Sequence, residues 1–429
     1  MTVLIAGGGI AGLALGLSLQ QIGIPFRIFE RVSALKPLGV GINLQPNAVR
    51  ELYDLGLEDA LAAIGVKTRD YGFYTCKGLE IWTEPRGQWA GYHWPQYAIH
   101  RGQLQMLLAQ TLLARAGPDC LVNDAEAVGF ECHADGASLY LKNRAGQTWA
   151  EQGQVLIAAD GIHSAIRQKM YPAEGQPIWG GAVMWRGMTQ AQPFLTAASM
   201  ILMGHAKQRF VAYPISNPDP ETGAATLNWI AELRYDASDP WQKEDWNRQA
   251  DDSAFLPAFE NWRFGWLDVP ALVRGADAIY EYPMVDRDPL PGWTQGAVTL
   301  MGDAAHPTYP VGSNGASQAV IDGRILAAKM HVHGVGPTAL QAFEAEVRPA
   351  TEKVTLANRG QGPDAIMQIV EDRCGGDFEH IEDVISAAEL AVHADKYKAI
   401  AGFGIAALNA RAPLIPRAAY VEDASTTPL

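Results

Sequence analysis

Residues 3–19 read VLIAGGGIAGLALGLSL, and the order of their parts decides the fold. Val3–Ala6 is an apolar run short enough for a fully buried strand, and Ile10–Ile22 continues as an apolar helix. Between them Gly7, Gly9 and Gly12 form the pattern GxGxxG. Gly7 permits the tight turn after the strand. Gly9 lets backbone approach a diphosphate with no Cβ in the way, and Gly12 lets the helix pack closely on the sheet. The helix N-terminus then offers free N–H groups and a favourable dipole to two phosphates. A second strand, Phe26–Glu30, ends on an acid at the distance expected of a ribose ligand. The unit is therefore a βαβ dinucleotide fold, with Gly9, Gly12 and Glu30 as cofactor contacts. The motif alone leaves NAD and FAD open. Glu30 disfavours a 2′-phosphate, a point softened by Arg31, which can stack on adenine or reach the diphosphate.

The remaining 410 residues after Leu19 are enough for more than one domain in a chain of 429. Hydrophobic residues make up 48% and Trp alone occurs 12 times, so the chain is not of the disordered class. A net charge of −14 repels phosphate backbones and argues against a nucleic-acid partner. Cys76, Cys120, Cys132 and Cys374 show neither CxxC spacing nor a metal-ligand cluster, which fits a reduced compartment and no metal. The apolar N-terminus lacks a basic n-region, and no later segment reads as a membrane span, so a cytoplasmic protein with no membrane partner is expected.

Strand patterns run from about Ala127 to Ala159. A sheet-rich, Trp-rich block follows from about Tyr171 to Ala276, in which Arg209, Val211 and Tyr213 share one strand face and Phe210 and Ala212 the other. Short helices are expected at Trp241–Arg248 and Asp252–Phe259. Ala297–Met301 is a further buried strand, Ser313–Met330 and Pro337–Ala357 are helices, and the tail after Gly360 is helical to Ala410. The expected architecture is α/β with an α+β substrate domain: a Rossmann-like dinucleotide-binding domain, which the family resemblance of its motifs makes an FAD-binding domain of glutathione-reductase type, a sheet-rich middle domain and C-terminal helices. Its boundaries are expected at 1–175 with 277–360, at 176–276, and at 361–429.

Two further segments carry the cofactor reading. ADGIHSAIR holds Asp160, Gly161, Ser164 and Arg167; MGDAAHPTYPVGSNGASQAV holds Gly302, Asp303, His306, Pro310, Gly312, Asn314 and Gly315. With the first glycine cluster, these resemble the three fingerprints of the class A flavoprotein monooxygenases, the para-hydroxybenzoate hydroxylase-like family. KPLGVGINLQPNAV, IHRGQLQM, MWRG, YPMVDRDPLP and GSNGASQA resemble its phenazine-hydroxylating branch.

The resemblance implies FAD as cofactor, with NADH or NADPH as a transient co-substrate. It implies insertion of one oxygen atom from O2 into a small aromatic or N-heteroaromatic substrate through a flavin C4a-hydroperoxide, in a monomer or homodimer. It assigns Asp303 to the ribityl chain, Gly312, Asn314 and Gly315 to the helix start facing the flavin N1 edge, and Arg101, Asp160, Pro310, Val40 and Gly41 to the cofactor surroundings. Arg167 either touches phosphate or forms a salt bridge within the fold. Leu38–Gln45 resembles a loop that accompanies flavin movement. Candidate substrate contacts are Trp185, Arg186, Arg209, Phe210, Tyr213, Trp229 and Tyr282, the arginines as carboxylate holders. Tyr213 and His205 are candidates for withdrawing a proton from the substrate, and His306 for acting beside the flavin. Pro289, in YPMVDRDPL, lies in a segment that resembles the region entering the flavin site, or else Asp286 and Arg287 form an ordinary ion pair that holds this loop. Other flavin reactions on the same scaffold (epoxidation, Baeyer–Villiger oxygenation, halogenation, alkene reduction) and a non-catalytic redox sensor remain as alternative readings.

Overall fold

The computed structural model describes residues 2–235, 248–359, 365–400 and 404–421. Its first layer is a six-stranded sheet in the order Thr294–Gln295, Val298–Leu300, Val155–Ala158, Val3–Ala6, Phe26–Phe29, Leu121–Val122. All pairs are parallel except the edge hairpin of Thr294–Gln295 with Val298–Leu300. Every residue of Val3–Ala6 and Val155–Ala158 is buried, as a parallel sheet covered on both faces requires. The helix Ile10–Gln21 is buried almost all round because it lies between the sheet and the helices Arg101–Ala116 and Gly315–His333. Its approach to Gly315–His333 needs Gly323, where a Cβ would stand 2.7 Å from the Leu15 nitrogen.

The second layer is an eight-stranded sheet ordered Arg248–Gln249, Ala276–Asp286, Ile178–Ala191, Ala225–Arg234, Gln208–Pro214, Ser199–His205, Asp70–Tyr74, Glu80–Pro85. It draws two strands from before residue 90 and one from after 275. The expected helix at Trp241–Arg248 lies outside the described residues, except that Arg248 is in a strand paired with Glu281. Near the expected Asp252–Phe259 helix, a 3₁₀ turn at Asp252–Ala254 precedes the helix Leu256–Phe259.

Each face of this sheet has its own cover. On one, Trp185, Phe210 and Trp229 join Phe255, Phe259 and Leu272 in a core built with the 252–274 segment. On the other, Met200, Leu202 and Tyr213 pack with Ile366, Met367 and Val370 of the helix Ala365–Cys374. Met184 and Met284 on that face meet Tyr309. A three-stranded sheet, Gly41–Leu44 with Tyr97–His100 and Gly65–Lys67, lies at the junction of the layers. Further helices, Ala387–Ile400 and Ile405–Ala410, follow. Among the described residues no helix is long and apolar enough to cross a membrane, and no group of His, Cys, Asp and Glu could hold a metal ion.

Candidate active site

The first glycine loop follows Val3–Ala6. Gly7 takes φ +108°, and a Cβ there would meet the Ala159 carbonyl oxygen at 2.3 Å. Gly9 faces open space, with nothing within 4 Å of a Cβ position. Gly12 packs against the Gly7 carbonyl, where a Cβ would sit 2.0 Å away. Glu30 accepts from the Gly8 N–H at 2.7 Å and the Val32 N–H at 3.0 Å, which fixes its carboxylate beside the loop. Arg31 is exposed at the same strand end.

Asp160 follows Val155–Ala158. Its Oδ2 accepts from the Ala165 N–H at 3.0 Å, while its buried Oδ1 has no partner. Desolvation raises this carboxyl to about 6, against the lowering effect of the Ser164, Ala165 and Ile166 hydrogen bonds. Arg167, 1% exposed, forms the link to the third motif. It donates to the Ala304 and Ala305 carbonyls at 3.0 and 2.9 Å and to the Asp288 carbonyl at 3.2 Å, and pairs with Glu174. Of its two expected roles, the structure gives it the salt bridge within the fold.

Asp303 lies in the turn after Val298–Leu300. It is exposed, yet desolvation raises its carboxyl, opposed by the nearby positive charges of His306 and Arg101. Exposure among surrounding protein means that the carboxylate faces a crevice. His306 Nε2 is 2.6 Å from Asp322 Oδ2, which also accepts from the Gly302 N–H at 3.0 Å. Burial opposes charge on the imidazole, but Asp322 and then Asp303 outweigh it and hold the group above its ordinary range. His306 thus ties the Asp303 turn to the long helix instead of presenting a free ring nitrogen to a reactant.

Pro310 is exposed ahead of a sharp reversal in which Gly312 has φ +77° and Ser313 +54°. The reversal delivers Asn314 to the start of Gly315–His333, with its buried Oδ1 unpartnered and open space beside Gly315. Across from it, the buried Val40 accepts from the Arg101 N–H at 3.0 Å. Gly41 is held on both sides: its N–H donates to Asn228 Oδ1 at 2.7 Å, and its carbonyl accepts from Arg186 Nη2 at 2.8 Å.

The expected substrate residues separate onto two faces. Trp185, Phe210 and Trp229 are 1%, 0% and 0% exposed, with Trp185 stacked on Phe255 and Phe210 on Trp229 in the core on the far face, so they are not pocket walls. Arg186, Tyr213 and Tyr282 are on the near face. Arg186 lies 5.8 Å from the Tyr282 ring centroid and hydrogen-bonds Tyr213. Desolvation, opposed by Arg186, raises the Tyr213 phenol to about 12, which disfavours its expected role as a base. Arg209 is paired with Glu232 at 3.4 Å, which supplies the charge a substrate carboxylate was expected to bring. His205 ends a hairpin strand, where its Nδ1 accepts from the Lys207 N–H at 3.3 Å; it is a turn residue. The expected Asp286–Arg287 pair is also replaced: Asp286 binds Arg359 at 2.7 Å, and Arg287 reaches Glu174 at 3.3 Å.

Several residues with no motif signal complete the arrangement. Asn228 and Asn43 bring buried amides to the junction, Asn228 on the Tyr213 face. Arg324, fully buried, joins Glu51, Asp54 and Gln21 and so fastens Gly315–His333 to the helix Pro46–Asp54. Only residue pairing in three dimensions reveals these, since a lone Asn or Arg inside an apolar run has no period of its own.

These features fit FAD. Open backbone at Gly9, Gly161 and Gly315, unpartnered oxygens on Asp160 and Asn314, and the crevice-facing Asp303 occur in one arc around the sheet end. The family model described as FAD binding domain matches residues 1–357. The chain belongs to this family of class A flavoprotein monooxygenases. The monooxygenase is 42% identical over 361 residues to the phenazine 1,6-dicarboxylic acid hydroxylase of Lysobacter antibioticus, covering 83% of this chain and 89% of that protein. It is 34% identical over 348 residues to the aurachin C monooxygenase/isomerase of Stigmatella aurantiaca, covering 80% and 84%. Among solved structures it shares its fold with Klebsiella pneumoniae HpxO complexed with FAD and uric acid, at a TM-score of 0.69, 21% identity and coverage of 94% and 95%.

Proposed function

We propose that this FAD-dependent monooxygenase hydroxylates an aromatic or N-heteroaromatic acid, with NADH or NADPH as electron donor and O2 as oxygen source. The observation that carries the reading is the meeting of two surfaces at Gly41: the cofactor motifs on one side and the near face of the eight-stranded sheet on the other. When bound, FAD supplies the hydride-accepting and O2-activating chemistry, and the protein supplies position, dryness and electrostatics.

On the cofactor side, Gly9, Gly12 and the N-terminus of Ile10–Gln21 serve the diphosphate, and Glu30 with Arg31 the adenosine end. Asp160, Asp303 and Arg101 flank the chain between the two ends. Val40, Gly41, Pro310, Gly312, Asn314 and Gly315 border the ring, where a helix N-terminus favours negative charge. On the substrate side, Arg186 meets an acidic group and Tyr213 donates a hydrogen bond. Tyr282 forms an aromatic wall. Ile366, Met367 and Val370, packed on the same sheet face as Tyr213, help to keep water out. The acid class follows from Arg186: its contacts are to a carbonyl and two phenol rings, and its Nε is unpartnered.

The test is turnover with purified, FAD-loaded protein over a panel from benzoates to phenazine-1,6-dicarboxylate, with either coenzyme. Oxygenated product from acids, and little from their uncharged parents, is the expected result. Uniform turnover of acids and parents would remove Arg186 from the account.

A further inference from the structure

Gly41 binds the near face of the sheet through both of its backbone groups, and each bond has a directional consequence. Asn228 is fully buried, and its Oδ1 is the acceptor for the Gly41 N–H. That bond fixes which end of the amide faces Gly41, so Nδ2 points elsewhere; it is buried and has no hydrogen-bond partner. Arg186 is oriented in the same way. Its Nη2 is taken by the Gly41 carbonyl, and its buried Nε has no partner. The two residues lie on neighbouring strands, with Arg186 opposite Ile230 and Asn228 two positions along on the same face. Around them on the same face Met188, Val211, Ile230 and Tyr282 are only partly buried. A Cβ on Gly41 would stand 2.6 Å from the Asn228 side chain, so no larger residue permits this approach.

A buried donor without an acceptor is costly, by about 1–3 kcal/mol and more when charged. Two such donors held by one glycine therefore form a pre-oriented site that an acceptor completes. We propose that Asn228 is a specificity-determining residue: Gly41 turns its amide so that Nδ2, together with Arg186 Nε, receives an acceptor-rich edge of the substrate, such as a ring carboxylate or a ring oxo group. This rests on the aromatic-hydroxylase reading and adds to it that selection is by acceptor geometry, through a neutral amide as well as a cation.

Asn228→Asp tests it. The variant keeps the acceptor for the Gly41 N–H and the side-chain volume, but replaces the free donor with an anionic oxygen. Binding is read from the perturbation of oxidised-flavin absorbance on titration with phenazine-1,6-dicarboxylate and with unsubstituted phenazine. Thermal melting and FAD content are recorded alongside. The expected result is a loss of at least about tenfold in affinity for the dicarboxylate, a value matching the removal of one such hydrogen bond. Phenazine affinity and FAD content stay near wild type, and melting falls only by the cost of the buried carboxylate, which the Asn228→Gln control does not share. An Asn228→Gln variant, which retains both amide functions on a longer stem, recovers part of the dicarboxylate affinity. Equal losses for both probes, or lost FAD content with unchanged dicarboxylate affinity, would overturn the proposal and leave Asn228 as a support of the Gly41 backbone. If wild-type protein binds neither probe nor any other aromatic of the panel, the underlying hydroxylase reading fails instead.

Discussion

His306 Nε2 lies 2.6 Å from Asp322 Oδ2, and with the Gly302 N–H donating to the same oxygen at 3.0 Å it joins the Asp303 turn to the helix Gly315–His333. Both segments border the proposed cofactor site, so the pair fixes their spacing. A His306→Gln variant is expected to lose stability by about 1.5–3 kcal/mol, the range for a hydrogen bond to a charged group. The loss depends on pH with a definite sign. The folded-state value of His306 is raised, so its stabilising contribution is complete below the unfolded value and fades as pH rises through the folded one. Urea unfolding should therefore separate wild type from variant more at pH 6 than at pH 9.

Arg167 is expected to matter for stability and cofactor retention together. It is saturated by Glu174 and by the carbonyls of Ala304, Ala305 and Asp288. Arg167→Met leaves Glu174 without this partner and should cost about 3–5 kcal/mol. Arg167→Lys should recover less than half, because one ammonium cannot reproduce the fork. Denaturant midpoints and FAD content after dialysis are the measurements.

The two faces of the eight-stranded sheet should respond in opposite ways. Trp229→Leu opens space in the far-face core and is expected to lower stability by about 3 kcal/mol with KM changed less than about twofold. Ile230→Phe, one residue on and on the opposite face beside Arg186, should alter which aromatics are accepted while melting close to wild type. Parallel melting curves and KM values over the substrate panel decide this.

Asp160 gives a second pH test. Its folded carboxyl is raised to about 6 by desolvation, so the folded state binds its proton more tightly than the unfolded one. The cost of ionising it is absent below the unfolded value and complete above the folded one. Asp160→Asn in FAD-free protein should therefore be more stable than wild type at pH 8 and indistinguishable at pH 3.5, as read by thermal melting.

Much of the fold was legible in the sequence because its signals are local. The Gly7–Gly12 pattern, its flanking strands and Glu30 are contiguous, and the helix Gly315–His333 begins two residues after the expected Ser313. The middle sheet was legible only as strand-rich, since its two strands from 70–85 depend on long-range pairing. The site residues were read less well for a related reason. Alternation puts Phe210 and Tyr213 on opposite faces, yet which face borders the cofactor is set by packing against Phe255 and Ile366, which no local pattern encodes. Large aromatics invited a pocket reading and proved to be core. Asn228 gave no signal at all, because its role arises from contact with Gly41, 187 residues away in sequence.

The most direct test of the central claim is the fate of labelled oxygen. FAD-loaded protein is supplied with NADH or NADPH, phenazine-1,6-dicarboxylate and the wider acid panel, under isotopically heavy O2, and product masses are recorded. One heavy oxygen atom is expected in the aromatic product, and none when the label is in water. Label arriving from water, or a protein that cannot be loaded with FAD, would contradict the claim.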